Sequence, residues 1–207
     1  MVGNRCQARG GAIVSKKNTQ LMCEDCRFDS NGSERDSGGA LAIDGKGGKK
    51  PTIAKFQQVT FLENRCRVDG GAINLNLNSN TVFENCRFEG NYTEDNSGGA
   101  LVIVGESQES FSEAKFVNST FNRNRCKLDG GAINANLYTK TIFEGCRFKN
   151  NSAEDSGGAM QLVGEEGEKA SEANFKDVVF SGNRCKIAGG AVNAEDYTRS
   201  SFEDCQF

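Results

Sequence analysis

The chain has 207 residues, 26% of them charged, with a net charge of -3, 25 glycines, one proline and neither histidine nor tryptophan. The balanced charge and the lack of a polybasic stretch offer no footing for nucleic acid, and no apolar run reaches the length of a membrane span. Without histidine, Ser-His triads are excluded and the commonest metal ligand is missing, so the sequence designates no catalytic residue, metal or cofactor.

Residues 1–11 have no apolar core of the signal-peptide kind, and nine cysteines fit an oxidising compartment better than the cytosol. Together these predict a segment of a longer extracellular or cell-surface protein, with residues 1–207 a single β-helix segment. Gly-Gly-Ala begins at Gly10 and recurs at Gly38, Gly70, Gly98, Gly130, Gly157 and Gly189, in steps of 28, 32, 28, 32, 27 and 32 residues. Two unit types therefore alternate. Type A carries the triplets at Gly10, Gly70, Gly130 and Gly189; type B carries the others.

Ahead of each triplet lies Phe-x-x-Asn. The first slot holds Phe28, Phe61, Phe88, Phe121, Phe148, Phe180 and the terminal Phe207; the second holds Asn31, Asn64, Asn91, Asn124, Asn151 and Asn183. Asn4 starts the asparagine series, with Met1 in its phenylalanine slot. Five residues before each Phe is a further slot, with Cys23, Phe56, Phe83, Phe116, Phe143, Phe175 and Phe202. After the glycines, Ala72-Ile73-Asn74-Leu75-Asn76-Leu77 and Ala132-Ile133-Asn134-Ala135-Asn136-Leu137 alternate with period 2, as does Cys86-Arg87-Phe88. That is the signature of half-buried strands.

Short strands, glycine and asparagine turns and a repeat of about 30 residues predict an all-β fold: a right-handed parallel β-helix of about seven coils in alternating long and short pairs. Coils about 4.8 Å apart stack each slot on itself. The Phe slots become offset aromatic stacks, and the Asn slot becomes an amide ladder. From the first glycine to the next aromatic slot is 13 residues in type A and 18 in type B. The five extra residues fall within 45–55, 105–115 and 164–174, where Lys46, Lys49 and Lys50 give way to Glu106, Glu109 and Glu113. Constant length with drifting charge predicts solvated loops projecting from one side.

The pair of motifs resembles the repeat of the chlamydial polymorphic outer membrane protein family. Gly70-Gly71-Ala72-Ile73 with Phe61-Leu62-Glu63-Asn64, and Gly130-Gly131-Ala132-Ile133 with Phe121-Asn122-Arg123-Asn124, carry it, and it spans essentially the whole chain. The resemblance implies a secreted β-helical passenger, often an adhesin of the autotransporter type. Expected partners are neighbouring coils of the same or identical chains, stacked end to end, and a host-surface protein or glycan.

Four cysteine pairs are each 20 apart: Cys6 with Cys26, Cys66 with Cys86, Cys126 with Cys146 and Cys185 with Cys205. Same-slot cysteines lie two coils apart, beyond disulfide reach. Bridges joining an A coil to its B neighbour around the Phe-x-x-Asn corner stand against eight separate buried thiols. Acidic pairs precede the B glycines (Glu34 and Asp36, Glu94 and Asp95, Glu154 and Asp155); a solvated turn accounts for them better than a row of Ca²⁺ sites. Asn31, Asn91, Asn118 and Asn150 head glycosylation acceptor triplets, of which Asn118 and Asn150 stand clear of the ladder. The function expected is a rigid stalk or surface scaffold. The alternative is a carbohydrate-active β-helix enzyme, which a groove of outward carboxylates and exposed aromatics would mark. An ice-binding face ranks lower, because the Asn74, Asn134 and Asn193 row recurs only on alternate coils.

Overall fold

A computed structural model describes residues 1–48, 50–105, 107, 110–166 and 170–207. One coil shows how local sequence sets the path. In Ile73–Asn76 the side chains of Ile73 and Leu75 enter the core while Asn74 and Asn76 face out. Leu77 and Asn78 then turn the chain, both with positive φ (46° and 52°), the backbone of a type I′ turn. Ser79–Glu84 follows with Ser79, Thr81 and Phe83 buried, and a left-handed residue, Asn85, bends the chain into Arg87–Glu89. Gly90 makes a second left-handed corner before Asn91 and Tyr92–Thr93, and the next Gly-Gly-Ala closes the circuit.

Every strand pairs in parallel with its counterpart one coil away. Sheet I joins Ile13–Lys16, Leu41–Asp44, Ile73–Asn76, Leu101–Val104, Ile133–Asn136, Met160–Val163 and Val192–Glu195. Sheet II joins Gln20–Glu24, Thr52–Gln57, Ser79–Glu84, Ser112–Val117, Thr139–Glu144, Ser171–Lys176 and Thr198–Glu203. Sheet III runs from Arg27–Asp29 to Val179–Ser181 in six strands. Sheet IV has four two-residue strands, Arg5–Cys6 to Tyr92–Thr93, and single bridges carry its line through Arg125, Ser152 and Arg184. The fold is a parallel β-helix of seven coils, as the repeat predicts.

Both phenylalanine columns lie inside. Phe88 and Phe121 are 0% exposed, and Phe88 stacks on Phe61 and Phe121 with centroids 4.9 and 4.8 Å apart. Phe83 and Phe116 stack at 4.8 Å in the second column, and the two columns meet edge to face, as Phe83 does with Phe88 at 5.5 Å. The asparagine ladder is complete at each inner rung. The Asn64 N–H and Nδ2–H both donate to Asn91 Oδ1 at 3.0 Å, and the second Nδ2–H reaches Phe28 O at 3.1 Å. Asn91 repeats this toward Asn124 and Phe61, and Asn124 toward Asn151 and Phe88. Buried amides are thus fully partnered, which is what lets them line a dry corner.

The two glycines do different work. Gly70 has φ +67°, and a Cβ on it would meet the Ile73 carbonyl. Gly71 has no room at all: its Cβ would fall against Gly99 O and 2.5 Å from the Tyr92 nitrogen, the backbone of the next coil. The A and B turns also separate cleanly. A coils use a two-residue turn at Lys17–Asn18, Leu77–Asn78, Leu137–Tyr138 and Asp196–Tyr197, whereas B coils leave sheet I at Gly45, Gly105 and Gly164. Sheet II resumes at Thr52, Ser112 and Ser171, so the inserted loops are shorter than the windows read from sequence, and Glu113 and Lys55 are strand residues. Lys46 and Lys50 lie in the first loop; Lys49, Glu106 and Glu109 lie outside the described residues.

Candidate functional site

Alternation along sheet I turns Asn74, Val102, Asn134 and Gln161 away from the core, yet Asn134 is 5% and Gln161 3% exposed. Val102, Asn134 and Gln161 form the floor of a groove of about 420 Å³. One wall is the turn before each Gly-Gly-Ala, with Asp69, Ser97, Leu128 and Asp129; the other reaches Val104 and Leu137 at the sheet I turns. Oδ1 of Asn134 and Asn136 and Oε1 of Gln161 are buried there without a protein partner among the described residues. These oxygens lie beneath the groove surface, and no aromatic ring lines it.

The wall carboxylates have a structural task. Asp69 Oδ1 accepts the Ser97 N–H at 3.4 Å, Ser97 Oγ accepts the Asp129 N–H at 3.2 Å, and Asp129 Oδ1 accepts the Ser156 N–H at 3.1 Å. This Asp-Ser-Asp ladder binds A and B coils at the glycine corner. Burial raises the pKa of both Asp69 and Asp129, only partly opposed by those N–H donors. The sequence signal was there, as Asp or Ser immediately before five of the seven triplets, but its neighbours in the acidic pairs drew attention instead.

Those pairs are ion-paired across coils. Arg9 meets Asp36 at 3.2 Å, Arg65 meets Glu94 at 2.5 Å, Arg67 meets Asp95 at 2.8 Å and Lys186 meets Glu154 at 3.0 Å. Counted from one Gly-Gly-Ala to the next, B coils supply these cations and A coils the anions. On sheet II the signs are the same: Lys55, Lys115 and Lys176 of B coils meet Glu84, Glu144 and Glu203 of A coils at 3.3, 2.8 and 2.8 Å. Among the described residues no group of three or more His, Cys, Asp or Glu is arranged to hold a metal ion. No helix among the described residues is long and apolar enough to cross a membrane.

All nine cysteines are free thiols, and none forms the bridge entertained across the Phe-x-x-Asn corner. The two slots sit at opposite ends of that corner, each held by backbone. Cys86, Cys146 and Cys205 donate to Phe56, Phe116 and Phe175 carbonyls at 3.5, 3.4 and 3.6 Å, where sheet II turns into sheet III, and Cys26 to Glu24 O. Cys66 and Cys126 take N–H groups of the glycine corner, while Cys6 and Cys185 donate to the carbonyls of Ala8 and Ala188. Burial pushes the thiol pKa of Cys86 and Cys146 up to about 11, that of Cys126 up to about 12, and that of Cys66 up as well. These are inert space-fillers at physiological pH. Cys23 in the aromatic column is half-buried, its pKa raised to about 11 by burial and by Cys26 beside it.

Asn31 and Asn91 are buried in the ladder, whereas Asn118 and Asn150 are exposed at the left-handed corners, with φ of 48° and 55°. The corner residue before each ladder asparagine has positive φ from Gly3 to Gly182. Its recurrent Gly or Asn (Gly3, Gly90, Asn150, Gly182) was the overlooked cue to that bend. Overlooked too was a buried hydroxyl column at the start of sheet II: Thr52, Ser79, Ser112, Thr139 and Ser171.

A family model of the right-handed beta helix region matches residues 39–207. The chain belongs to this right-handed β-helix family. The β-helix is accordingly right-handed, the hand expected from its repeat. No curated protein and no solved structure matches the chain.

Proposed function

We propose that the chain is a rigid scaffold segment of an extracellular or cell-surface protein, an adhesive stalk of the kind its Gly-Gly-Ala and Phe-x-x-Asn repeat resembles. The observation that carries this reading is the continuity of the stacks. Phe on Phe and Asn on Asn continue through the inner coils at constant spacing, so no coil is set apart as a chemical centre. Local regularity usually fails where a catalytic site is built. The variable parts are the B loops leaving Gly45, Gly105 and Gly164, on alternate coils about 9.6 Å apart. A host-surface protein or glycan is the partner that such an array would engage, and neighbouring coils of identical chains would extend the rod.

The test pairs adhesion with catalysis. Beads coated with the protein are scored for attachment to cells, beside a variant whose three B loops are replaced by two-residue Asn-Gly turns. Attachment by the parent and its loss in the variant, with an unchanged far-UV spectrum, is the expected result. Release of new reducing or unsaturated ends from acidic or neutral polysaccharides incubated with the protein would instead establish the enzyme, with the sheet I groove as its site.

A further inference from the structure

Sheet IV carries a second column that the scaffold reading does not use. Directly after each B-coil ladder asparagine, every second one along the ladder, comes arginine: Arg5, Arg65, Arg125 and Arg184. The A-coil residues between them are Gly32, Tyr92 and Ser152. The column is in register through the bridges Tyr92 to Arg125, Arg125 to Ser152 and Ser152 to Arg184. Every arginine in it is exposed, and successive ones are two coils apart, about 9.6 Å.

The small residues Gly32 and Ser152 leave hollows between the arginines. The hollow above Ser152, about 400 Å³, lies between Arg125 and Arg184 and reaches Arg123, Asn150 and the bare corners of Gly90 and Gly182. No carboxylate lines it. Three guanidinium groups, an amide and a hydroxyl make it rich in donors. Tyr92 closes one end. Its ring has the Arg125 guanidinium 4.6 Å from its centroid and that of Arg65 at 5.9 Å, an arrangement that steadies Arg125. The charged neighbours are few. Glu89 is 4.0 Å from Arg123, and Glu154, which feels Arg125, is taken by Lys186 at 3.0 Å. The lower hollow, over Gly32, is lined by Glu34 and Glu94, which offset Arg5 and Arg65.

We propose that the hollow between Arg125 and Arg184 binds an acidic glycan, its sulfate or carboxylate groups held by the two guanidinium forks. Planar forks suit either anion. Asn150 and Ser152 offer hydrogen bonds to sugar hydroxyls. A saccharide fits better than single-stranded nucleic acid because the one ring at the site is engaged with arginine rather than free to stack bases. The site is independent of the B loops, so its success or failure is separable from the stalk reading.

The experiment titrates the full chain by calorimetry with four oligosaccharide or oligonucleotide probes: heparin-derived, polygalacturonate, neutral dextran and oligothymidylate. Saturable binding of one or both acidic saccharides, weakening with salt, is expected; which of the two binds more tightly tells sulfate from carboxylate. In R125Q/R184Q, affinity should fall by about tenfold or more, and R184K should fall in between because a lysine keeps charge but loses the fork. R199Q, on sheet II, should bind as the parent does. Both arginines are exposed, so the fold survives, and far-UV dichroism verifies it. Equal affinity in R125Q/R184Q, an equal loss in R199Q, equal binding of dextran or tighter binding of oligothymidylate would each overturn the proposal.

Discussion

A single ring or amide in this molecule belongs to a column, and that fixes what its loss costs. Phe88 is sandwiched between Phe61 and Phe121 and meets Phe83 edge-on at 5.5 Å, so Phe88→Ala leaves a void the neighbouring coils cannot close without breaking their ladders. A loss of about 3–5 kcal/mol is expected in chemical denaturation. Asn91→Leu is close to isosteric but strands the Asn64 N–H and Nδ2–H, and it takes the side-chain donor from Asn124 Oδ1 and from Phe61 O, leaving only the backbone N–H of residue 91 on Asn124. Each stranded buried group costs about 1–3 kcal/mol, so the penalty should exceed that of an ordinary surface change several-fold. A denaturation midpoint within error of the parent would mean that the amides are not the glue. The wall aspartates invert the usual sign. Burial raises the folded-state pKa of Asp69 and Asp129, so their ionisation disfavours the fold, and their contribution to stability declines as pH rises from the unfolded value through the folded one. Asp69→Asn with Asp129→Asn keeps the Oδ1 acceptors for Ser97 and Ser156 and removes the charge. The double variant should melt higher than the parent at pH 7 and match it near pH 3; a lower melting temperature at pH 7 would show the charge itself to be needed.

Among elements, the glycine corner is the least forgiving. Gly71→Ala would drive a methyl group into the Gly99 carbonyl and the Tyr92 nitrogen, which are backbone atoms of the neighbouring coil. Gly90→Ala, unlike Gly71→Ala, sits at a positive φ, 62°, but finds only the Glu63 side chain, 3.3 Å away. The first change should cost more than about 4 kcal/mol by forcing two coils apart, and the second only the left-handed penalty of about 1–2 kcal/mol. Urea midpoints of the two variants check the contrast, and similar midpoints would contradict it. These elements also show what a sequence discloses. The ladders were legible because a solenoid writes its packing as periodicity: Phe61, Phe88 and Phe121 stack as their spacing demands. The groove was not legible, because Asn134 and Gln161 have the pattern of solvent-facing strand residues and are covered only by turns that no period describes. The cysteine pairing misled for a related reason. A separation of 20 residues places Cys66 and Cys86 one coil apart in height but says nothing of which end of the corner each thiol faces.

At the scale of the whole molecule, the alternation of A and B coils is a rule about which coil accepts which neighbour. Three features impose it together. At the glycine corner, B cations face A anions, as Arg65 and Arg67 face Glu94 and Asp95; on sheet II, B lysines face A glutamates, as Lys115 faces Glu144. The third feature is steric. Gly45 and Gly105 begin their loops directly over the two-residue turns of the following A coils, with Asn78 O and Tyr138 O where a Cβ would be, so each B loop rests on a short A turn. Two B coils in contact would set loop against loop at about 4.8 Å with no such seat and would place Lys beside Lys on sheet II. Solenoid stability is a sum of coil terms and nearest-neighbour interfaces, so an internal deletion is judged by the one new interface it creates. Removing residues 61–120, a complete A and B pair, leaves the register unchanged: the residue after Thr60 becomes Phe121, in the same slot and the same coil type as the lost Phe61. Removing residues 61–87 instead brings Phe88 into that slot and stacks B upon B. The longer deletion discards more than twice as much chain, yet it should yield a soluble protein with a single cooperative unfolding transition. The shorter should unfold in two steps or aggregate. Far-UV dichroism with urea titration and size-exclusion chromatography distinguishes the two, and equal behaviour of the deletions would show that coil type plays no part in stacking.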